Sequence, residues 1–403
     1  MEDNDHRKIG QELDLFTFSD LVGPGLPLWT PKGTVVREEL DRFVWELRSA
    51  HGYERVVIPH ITKKELYEKS GHWDKFAEDL FRITSREGKE YALKPMNCPH
   101  HTQIFNRKPH SYREMPQRYA ETTMVYRDEQ SGELSGLTRV LSITQDDAHV
   151  FCRTTQVREE FLKIWDIVDT FYKKFGFALR VRLSFRDPAA PEKYIGTKET
   201  WNKAEGELRQ IAVERGADYI EGPGEAALYG PKLDFMAKNA AGREWQVATI
   251  QLDMNIPERF DLNCINEKGE KERIVMVHAA ITGSIERGVA ILLEHLGGVL
   301  PTWLSPVQAR VLPIGEGHQA FAAQVAQQLK SAGIRTELDQ NNESLGKKIR
   351  EAKGQKIPYL LVIGDAEVAA GAASLESRDK GKVGVLPILD IIAKLSEEIK
   401  SRA

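Results

Sequence analysis

Between Tyr126 and His149 the chain reads YRDEQSGELSGLTRVLSITQDDAH, and this stretch concentrates groups suited to chemistry. Arg127 and Glu129 stand two residues apart in a strand-like run, so they are expected on one face of a strand. Arg139 and Asp147 follow in a second such run. An enzyme that activates a carboxylate with ATP needs cations against the α-phosphate and an acceptor for an adenine or amino group, all on rigid elements. Two arginines and two carboxylates on paired strands supply that set. A solvated charged face shows the same pattern, and spacing alone leaves both readings open.

The runs that must carry these groups are RYAETTMVYRDE and TRVLSITQDDAHVF. The polar, glycine-containing QSGELSG between them predicts an antiparallel pair. Upstream, Val35, Leu40, Phe43, Val44 and Leu47 predict an amphipathic helix over 34–51 that stops at Gly52. ERVVIPHI then reads as a short buried strand, and TKKE (62–65) as a capping box opening a helix. A helix is expected at about 156–174, a strand at 273–279 and an apolar helix from Ser284 to His295. Near Pro301 the grammar changes to strand (ARVLPI), helix (319–332), strand (IRTELD), helix (343–353), strand (YLLVIG) and helix (387–401). That alternation predicts a small, mostly parallel α/β domain behind a first domain built on an antiparallel sheet. The boundary is placed near 300–308.

With 403 residues the chain exceeds one ordinary core, and 41% hydrophobic with 29% charged residues excludes disordered and fibrous classes. A formal charge of −4 does not announce a nucleic-acid binder, although local basic patches fit inside an acidic total. Three distant cysteines with no CxxC argue against a disulfide framework and fit a reducing cytosol. No apolar run reaches membrane-span length and the charged start is no secretory signal, so the expected location is cytoplasmic, with no membrane partner.

Arg127-x-Glu129 with a downstream arginine resembles motif 2 of class II aminoacyl-tRNA synthetases, GSIER (283–287) their motif 3, and helix 34–51 with ERVVIP their motif 1. HRKIG (6–10), SGHWDKF (70–76), KPMNCP (94–99), TQDDAH (144–149), YGPK (229–232), WQVATIQLD (245–253) and PTWLSPVQ (301–308) are similar to the threonyl-tRNA synthetase family specifically. The likeness runs from about residue 5 to the C-terminus. It implies an α+β class II catalytic domain on an antiparallel sheet (1–300) and a small α/β anticodon-binding domain (301–403). It also implies a homodimer joined through motif 1, with threonine, ATP and tRNA(Thr) as substrates.

The resemblance further implies that Cys98, His149 and His278 bind Zn2+, although they lie 51 and 129 residues apart. One thiolate and two imidazoles leave a fourth position open, as in catalytic zinc sites, and the resemblance puts the amino and hydroxyl groups of threonine there. An apolar pocket separates threonine from valine by only about 100-fold, whereas a site that demands the hydroxyl reaches roughly 10⁴–10⁵. Serine keeps both ligating groups and loses a methyl worth about 1–3 kcal/mol, so it is expected to leak through. Relatives commonly carry an N-terminal editing domain; this chain starts almost at the catalytic domain, so editing is expected to be absent here or to reside in a partner.

By the same resemblance Arg127 bridges the α-phosphate and the threonine carboxylate, Glu129 contacts adenine, and Arg139 meets the γ-phosphate end with Mg2+ nearby. Arg287 stacks on adenine beside Ser284. Gln246 and Thr249 belong to the ATP site. Gln145, Asp147, Tyr229 and Gln251 form the threonine pocket, Lys232 is counted as catalytic, and His72 is implicated in transfer to the tRNA ribose. Asn342, Glu367 and Arg378 are expected to read anticodon bases.

Four departures stand out. Ile143 replaces the aromatic expected to face Arg287, His100 a small residue beside Cys98, Val247 and Ala248 the usual glycine or cysteine near the pocket floor, and Glu376 the first arginine of a VRSR-like strand. Lys347, Lys348, Arg350, Lys353 and Lys356 offer a basic helix face, or a merely solvated one. Two alternatives to a housekeeping ligase stay open: a synthetase-like paralogue with a regulatory RNA-binding role, and an inhibitor-resistant form altered at Ile143, Val247 and Ala248.

Overall fold

Helix α1 (Pro31–Ala50) opens on a proline, whose missing N–H costs nothing at a first helical position. Val36, Leu40, Phe43 and Val44 follow at helical spacing and are all buried. The computed structural model describes residues 4–238 and 242–402. The chain divides into two compact units, one of Phe18–Leu26 and Asp41–Ile291, the other of Met1–Thr17, Pro27–Leu40 and Leu292–Ala403.

The larger unit is built on an eight-stranded sheet. Its strands are β1 (Glu54–Arg55), β2 (Gln117–Tyr126), β3 (Ser142–Cys152), β4 (Leu179–Phe185), β5 (Tyr219–Pro223), β6 (Lys232–Lys238), β7 (Glu244–Asp253) and β8 (Val275–Ser284). They lie in the order β5-β4-β6-β7-β8-β3-β2-β1, with only the two outermost pairs parallel. Helices α2 (Cys98–Phe105), α3 (Val157–Lys173) and α4 (Lys198–Glu214) accompany it, and α5 (Ile285–Leu296) follows β8 directly. Phe161, Ile164, Val168 and Phe171 give α3 its buried stripe, and Phe171 stacks on Phe43 of α1 at 5.3 Å.

The smaller unit holds β9 (Ala309–Pro313), α6 (Gln319–Ser331), β10 (Thr336–Leu338), α7 (Leu345–Gly354), β11 (Tyr359–Ile363), α8 (Asp365–Ala370), β12 (Ala372–Ser377), β13 (Gly381–Pro387) and α9 (Ile388–Ser401). The sheet order is β10-β9-β11-β12-β13, parallel up to β11 and antiparallel after it. The mostly parallel reading of this unit therefore omits a hairpin, whose outer strand β13 is nearly all exposed and so carries no clean apolar alternation.

Two local expectations need correction. ERVVIPHI forms a ladder only at Glu54 and Arg55, because it lies at the sheet edge with one neighbour, and Val57 is 89% exposed. TKKE makes no capping box: Thr62 pairs in a short strand (Ile61–Lys63), and the next helix starts at Lys64 with no side-chain cap.

Candidate functional site: a nucleotide-sized cavity and a Cys/His/His cluster on one sheet face

Strand β3 organises the site through its period of two. Asp146, Ala148 and Val150 point to the buried side, while Gln145, Asp147 and His149 share the opposite face. Asp146 anchors the strand. Its carboxylate accepts from the backbone N–H of Ile281 (2.7 Å) and Thr282 (3.1 Å), the Thr282 hydroxyl (2.8 Å) and Arg48 Nη2 (3.2 Å). Burial still pushes its carboxyl above the usual range, so the four donors only partly offset desolvation.

Cys98, at the first turn of α2, and His149 and His278, directly opposite each other on β3 and β8, bring one Sγ and two ring nitrogens within 4.8 Å of one another. His149 Nε2 lies 3.1 Å from His278 Nδ1. The far nitrogen of His278 is held 3.0 Å from Asp253 Oδ2, the usual arrangement behind a metal-bound imidazole. Burial raises the Cys98 thiol well above its ordinary range and lowers the His149 imidazole well below it. A buried set of one thiol and two imidazoles, with Asp253 already orienting one of them, fits a divalent, sulfur-tolerant ion such as zinc. Asp147 stands beside this set, 3.8 Å from His149 Nε2, and accepts from Asn97 Nδ2 at 3.0 Å. Tyr229 packs against His278 at 5.0 Å between ring centroids.

Along the same sheet face lies a cavity of about 430 Å³. Arg127, Glu129, Arg139 and Arg287 line it, with Gln145 and Lys232. Gln246, Thr249 and Ser284 complete the expected set, and Ile143, Val247 and Ala248 are in the wall. Arg127, Glu129 and Arg139 occupy the connection between β2 and β3 rather than the strands, since the ladder ends at the Tyr126–Ser142 pair. Arg127 N–H still donates to Leu141 O at 3.0 Å, which fixes the start of that loop. The Arg127 Nε is buried with no hydrogen-bond partner. Glu129 and Arg139 hold each other at 2.6 Å, and Glu133 adds a second carboxylate at 3.0 Å.

Ser284 Oγ accepts from Arg287 N–H at 3.2 Å and so fixes the turn that aims Arg287. Gly283, at φ +69°, makes the left-handed step into that turn. Arg287 Nε donates to Thr138 O at 3.2 Å, and burial lowers its guanidinium pKa, helped by Arg127 and Arg139.

Sequence reasoning missed the group beneath the cavity. Asp234, fully buried on β6, accepts from Gln246 Nε2 (2.9 Å), the Thr249 hydroxyl (2.7 Å) and the Ser184 hydroxyl (2.7 Å). Lys232 Nζ (3.3 Å) and Arg182 Nη2 (3.2 Å) also face it. Gln246 and Thr249 are thus oriented by a carboxylate that no local motif announces. Glu286, which lies in GSIER but was given no role from the sequence, accepts from the Thr144 N–H (2.8 Å) and hydroxyl (2.7 Å) and from Ser284 Oγ (3.0 Å). Gln251 is buried and donates weakly to Gly230 O at 3.4 Å.

Two histidines sit deeper than expected. His72 is fully buried, its Nδ1 2.8 Å from Ser70 Oγ, and burial brings its pKa down to about 3. His100 is also buried, with neither ring nitrogen hydrogen-bonded, and stays outside the metal-ligating trio.

In the smaller unit the three anticodon candidates part company. Asn342 is exposed between β10 and α7. Glu367 is spent locally, accepting from Gly364 N–H (3.0 Å) and Ser374 Oγ (2.7 Å). Arg378 is committed too, donating to Asp379 (2.8 Å), Leu300 O (3.0 Å) and Lys356 O (2.8 Å), so the expected free guanidinium is an internal anchor. The basic face also shrinks: Lys348 is buried against Pro313 O, Lys347 pairs with Glu343, and Lys353 neutralises Glu376 at 2.6 Å.

Comparison with known proteins matches residues 81–296 to the tRNA synthetase class II core domain (G, H, P, S and T) and residues 308–398 to an anticodon binding domain. The chain is 47% identical over 402 residues to the threonine–tRNA ligase of Synechocystis sp., covering 98% of this chain and 66% of that protein. It is 49% identical over 401 residues to that of Flavobacterium johnsoniae, covering 98% and 62%. The chain thus spans less than two thirds of these relatives' length. Among solved structures, the RNA binding domain of threonyl-tRNA synthetase from Cryptosporidium parvum superimposes with a TM-score of 0.93 at 38% identity, covering 98% of both chains. Among the described residues no helix is long and apolar enough to cross a membrane.

Proposed function

We propose that this chain, which belongs to the threonyl-tRNA synthetase family of class II tRNA synthetases, activates threonine with ATP and transfers it to tRNA(Thr). One observation carries the reading: Gln145, Asp147 and His149 run along one face of β3 from the nucleotide-sized cavity to the Cys/His/His cluster. Four residues of strand span about 13 Å, enough to seat an amino acid between the two sites.

Cys98, His149 and His278 would hold zinc, which when bound supplies a Lewis acid for the amino and hydroxyl groups of threonine. Asp147 accepts hydrogen bonds from those groups, and Tyr229, Gln145 and Gln251 close the pocket. Arg127 bridges the threonine carboxylate and the α-phosphate, bringing nucleophile and electrophile together while neutralising both. Carboxylate oxygen attacks the α-phosphorus, the bond to pyrophosphate breaks, and threonyl-adenylate remains; Mg2+ bound with ATP would supply counter-charge to the phosphates. Arg287 stacks on adenine, Glu129 meets its amino group once released from Arg139, and Arg139 turns to the γ-phosphate end. Gln246, Thr249 and Ser284 fix the nucleoside, and Lys232 adds a cation. His72, neutral and buried, is assigned to the transfer step only if tRNA binding opens its surroundings. Asn342 is the anticodon contact best supported by exposure, ahead of Glu367 and Arg378.

We place the catalytic domain at 1–300 and the anticodon-binding domain at 301–403, and propose a cytoplasmic homodimer. Exposed Val57 and Ile61 beside edge strand β1 support an interface there. Threonine-dependent ATP–pyrophosphate exchange, with bound metal counted, tests the activity; exchange that ignores threonine refutes it and favours a regulatory paralogue.

Ile143→Phe gives a separate check on the nucleotide site. A ring in this wall gains about 0.5–1.5 kcal/mol of stacking beyond area burial, so the KM for ATP is expected to fall by about 2–10-fold. An unchanged or raised KM in steady-state exchange would remove Ile143 from the adenine face.

A further inference from the structure

We infer that His101 and Glu121 are a positioning pair behind His149, fixing its tautomer and thereby the affinity of the metal site; this rests on the metal reading above. His149 divides its ring nitrogens between two jobs. Nε2 faces His278 Nδ1 at 3.1 Å within the Cys98 cluster, while Nδ1 lies 2.7 Å from the Nδ1 of His101. The two rings stand perpendicular, with centroids 4.7 Å apart. Only one proton fits between two ring nitrogens at that distance. A neutral imidazole that offers its Nε2 lone pair to a metal carries its proton on Nδ1. His149 is therefore the donor and His101 the acceptor, which leaves the His101 proton on Nε2.

That nitrogen is buried and has no hydrogen-bond partner. The carboxylate nearest to it is Glu121, whose Oε2 is 3.9 Å away and is itself buried without a partner. Glu121 is steadied through its other oxygen, which accepts from Ile58 N–H at 3.2 Å. A shift of under about 1 Å brings Oε2 to hydrogen-bond range. The resulting line, carboxylate to His101 to His149, mirrors the direct Asp253–His278 contact on the next strand. Each imidazole of the cluster then has its own acceptor, one a carboxylate and the other a histidine backed by a carboxylate.

The test is zinc affinity by chelator competition on the full chain, with the visible spectrum of the cobalt-substituted protein as a second readout. His101→Phe is expected to weaken zinc about 10–100-fold and to shift the cobalt bands, while the melting temperature of the metal-free protein stays put. His101→Gln, which restores an acceptor, is expected to recover most of the affinity. Unchanged affinity and bands in His101→Phe overturn the inference. If His101→Phe does not fold, Glu121→Leu decides: a loss of zinc affinity of about 10-fold supports the pair, and unchanged affinity overturns it. Wild-type protein that takes up no zinc refutes the metal reading itself, a result distinct from equal affinity in wild type and variant.

Discussion

Cys98→Ser is expected to leave a folded protein that holds little zinc and has lost threonine-dependent pyrophosphate exchange. The substitution changes chemistry more than volume. Cys98 is buried beside Tyr229, Ile256 and Met276, so a serine fills nearly the same space. A hydroxyl does not become the anionic, polarizable ligand that a thiolate is, and only His149 and His278 remain. Losing a ligand outright costs more than the roughly 10–100-fold that follows loss of a partner behind a ligand. Substrate choice offers a sharper readout than rate. Wild type should prefer threonine to valine by about 10⁴–10⁵, because a site built for a hydroxyl leaves its partner unpaired when valine binds. Serine should be activated with a penalty of only about 10–200-fold, the worth of one methyl. In the variant, residual discrimination against valine should collapse toward the ~100-fold that shape alone supplies. Exchange assays with the three amino acids, beside metal analysis, check both halves. Full, threonine-selective activity in a zinc-free variant would sink the metal argument.

What the sequence revealed and hid follows from the range of the interactions. The second strand-like run was legible, and along it the structure places Gln145, Asp147 and His149 on one face of β3, the first at the cavity and the last at the cluster. The helix over 34–51 was legible because propensity, apolar spacing and a stop signal agreed, and α1 follows it closely. The trio of Cys98, His149 and His278 was invisible to spacing, since pairing of β3 with β8 and the approach of α2 create it. The roles of Asp234 and Glu286 were hidden for the same reason: a buried acid is defined by donors that arrive from other strands. Arg127 and Glu129 line the cavity although they sit on a loop, because the ladder ends at Tyr126, three residues short of the strand-like run RYAETTMVYRDE. The basic helix misled in the opposite sense. Its lysines look like a surface patch in one dimension, yet Lys348 is a core residue and Lys353 has a carboxylate of its own.

Arg127→Ala is expected to lower kcat for threonyl-adenylate formation by about 10²–10³-fold, the scale for removing one charge-stabilising donor from a preorganised site. Several features of the structure set that size. The Arg127 Nε is buried and unpartnered, so the protein carries the cost of desolvating a donor that its own groups do not satisfy. Its backbone is fixed by the bond to Leu141 O, and its side chain lines the cavity beside Arg287. Such a donor loses little reorganisation energy when charge builds on an oxygen in front of it. Arg287 is different, because Thr138 O already takes its Nε, and the adenine stacking proposed for it would act on ground and transition states alike. Arg287→Ala should therefore raise the KM for ATP with a smaller loss in kcat, while Arg127→Ala should act mainly on kcat. Arg127→Lys restores the charge but not the fork that reaches two oxygens, so it should recover only part of the rate. Steady-state exchange as a function of ATP and threonine separates these outcomes. If Arg127→Ala changes KM alone, the residue holds substrate without stabilising the transition state, and Lys232 becomes the cation to test next.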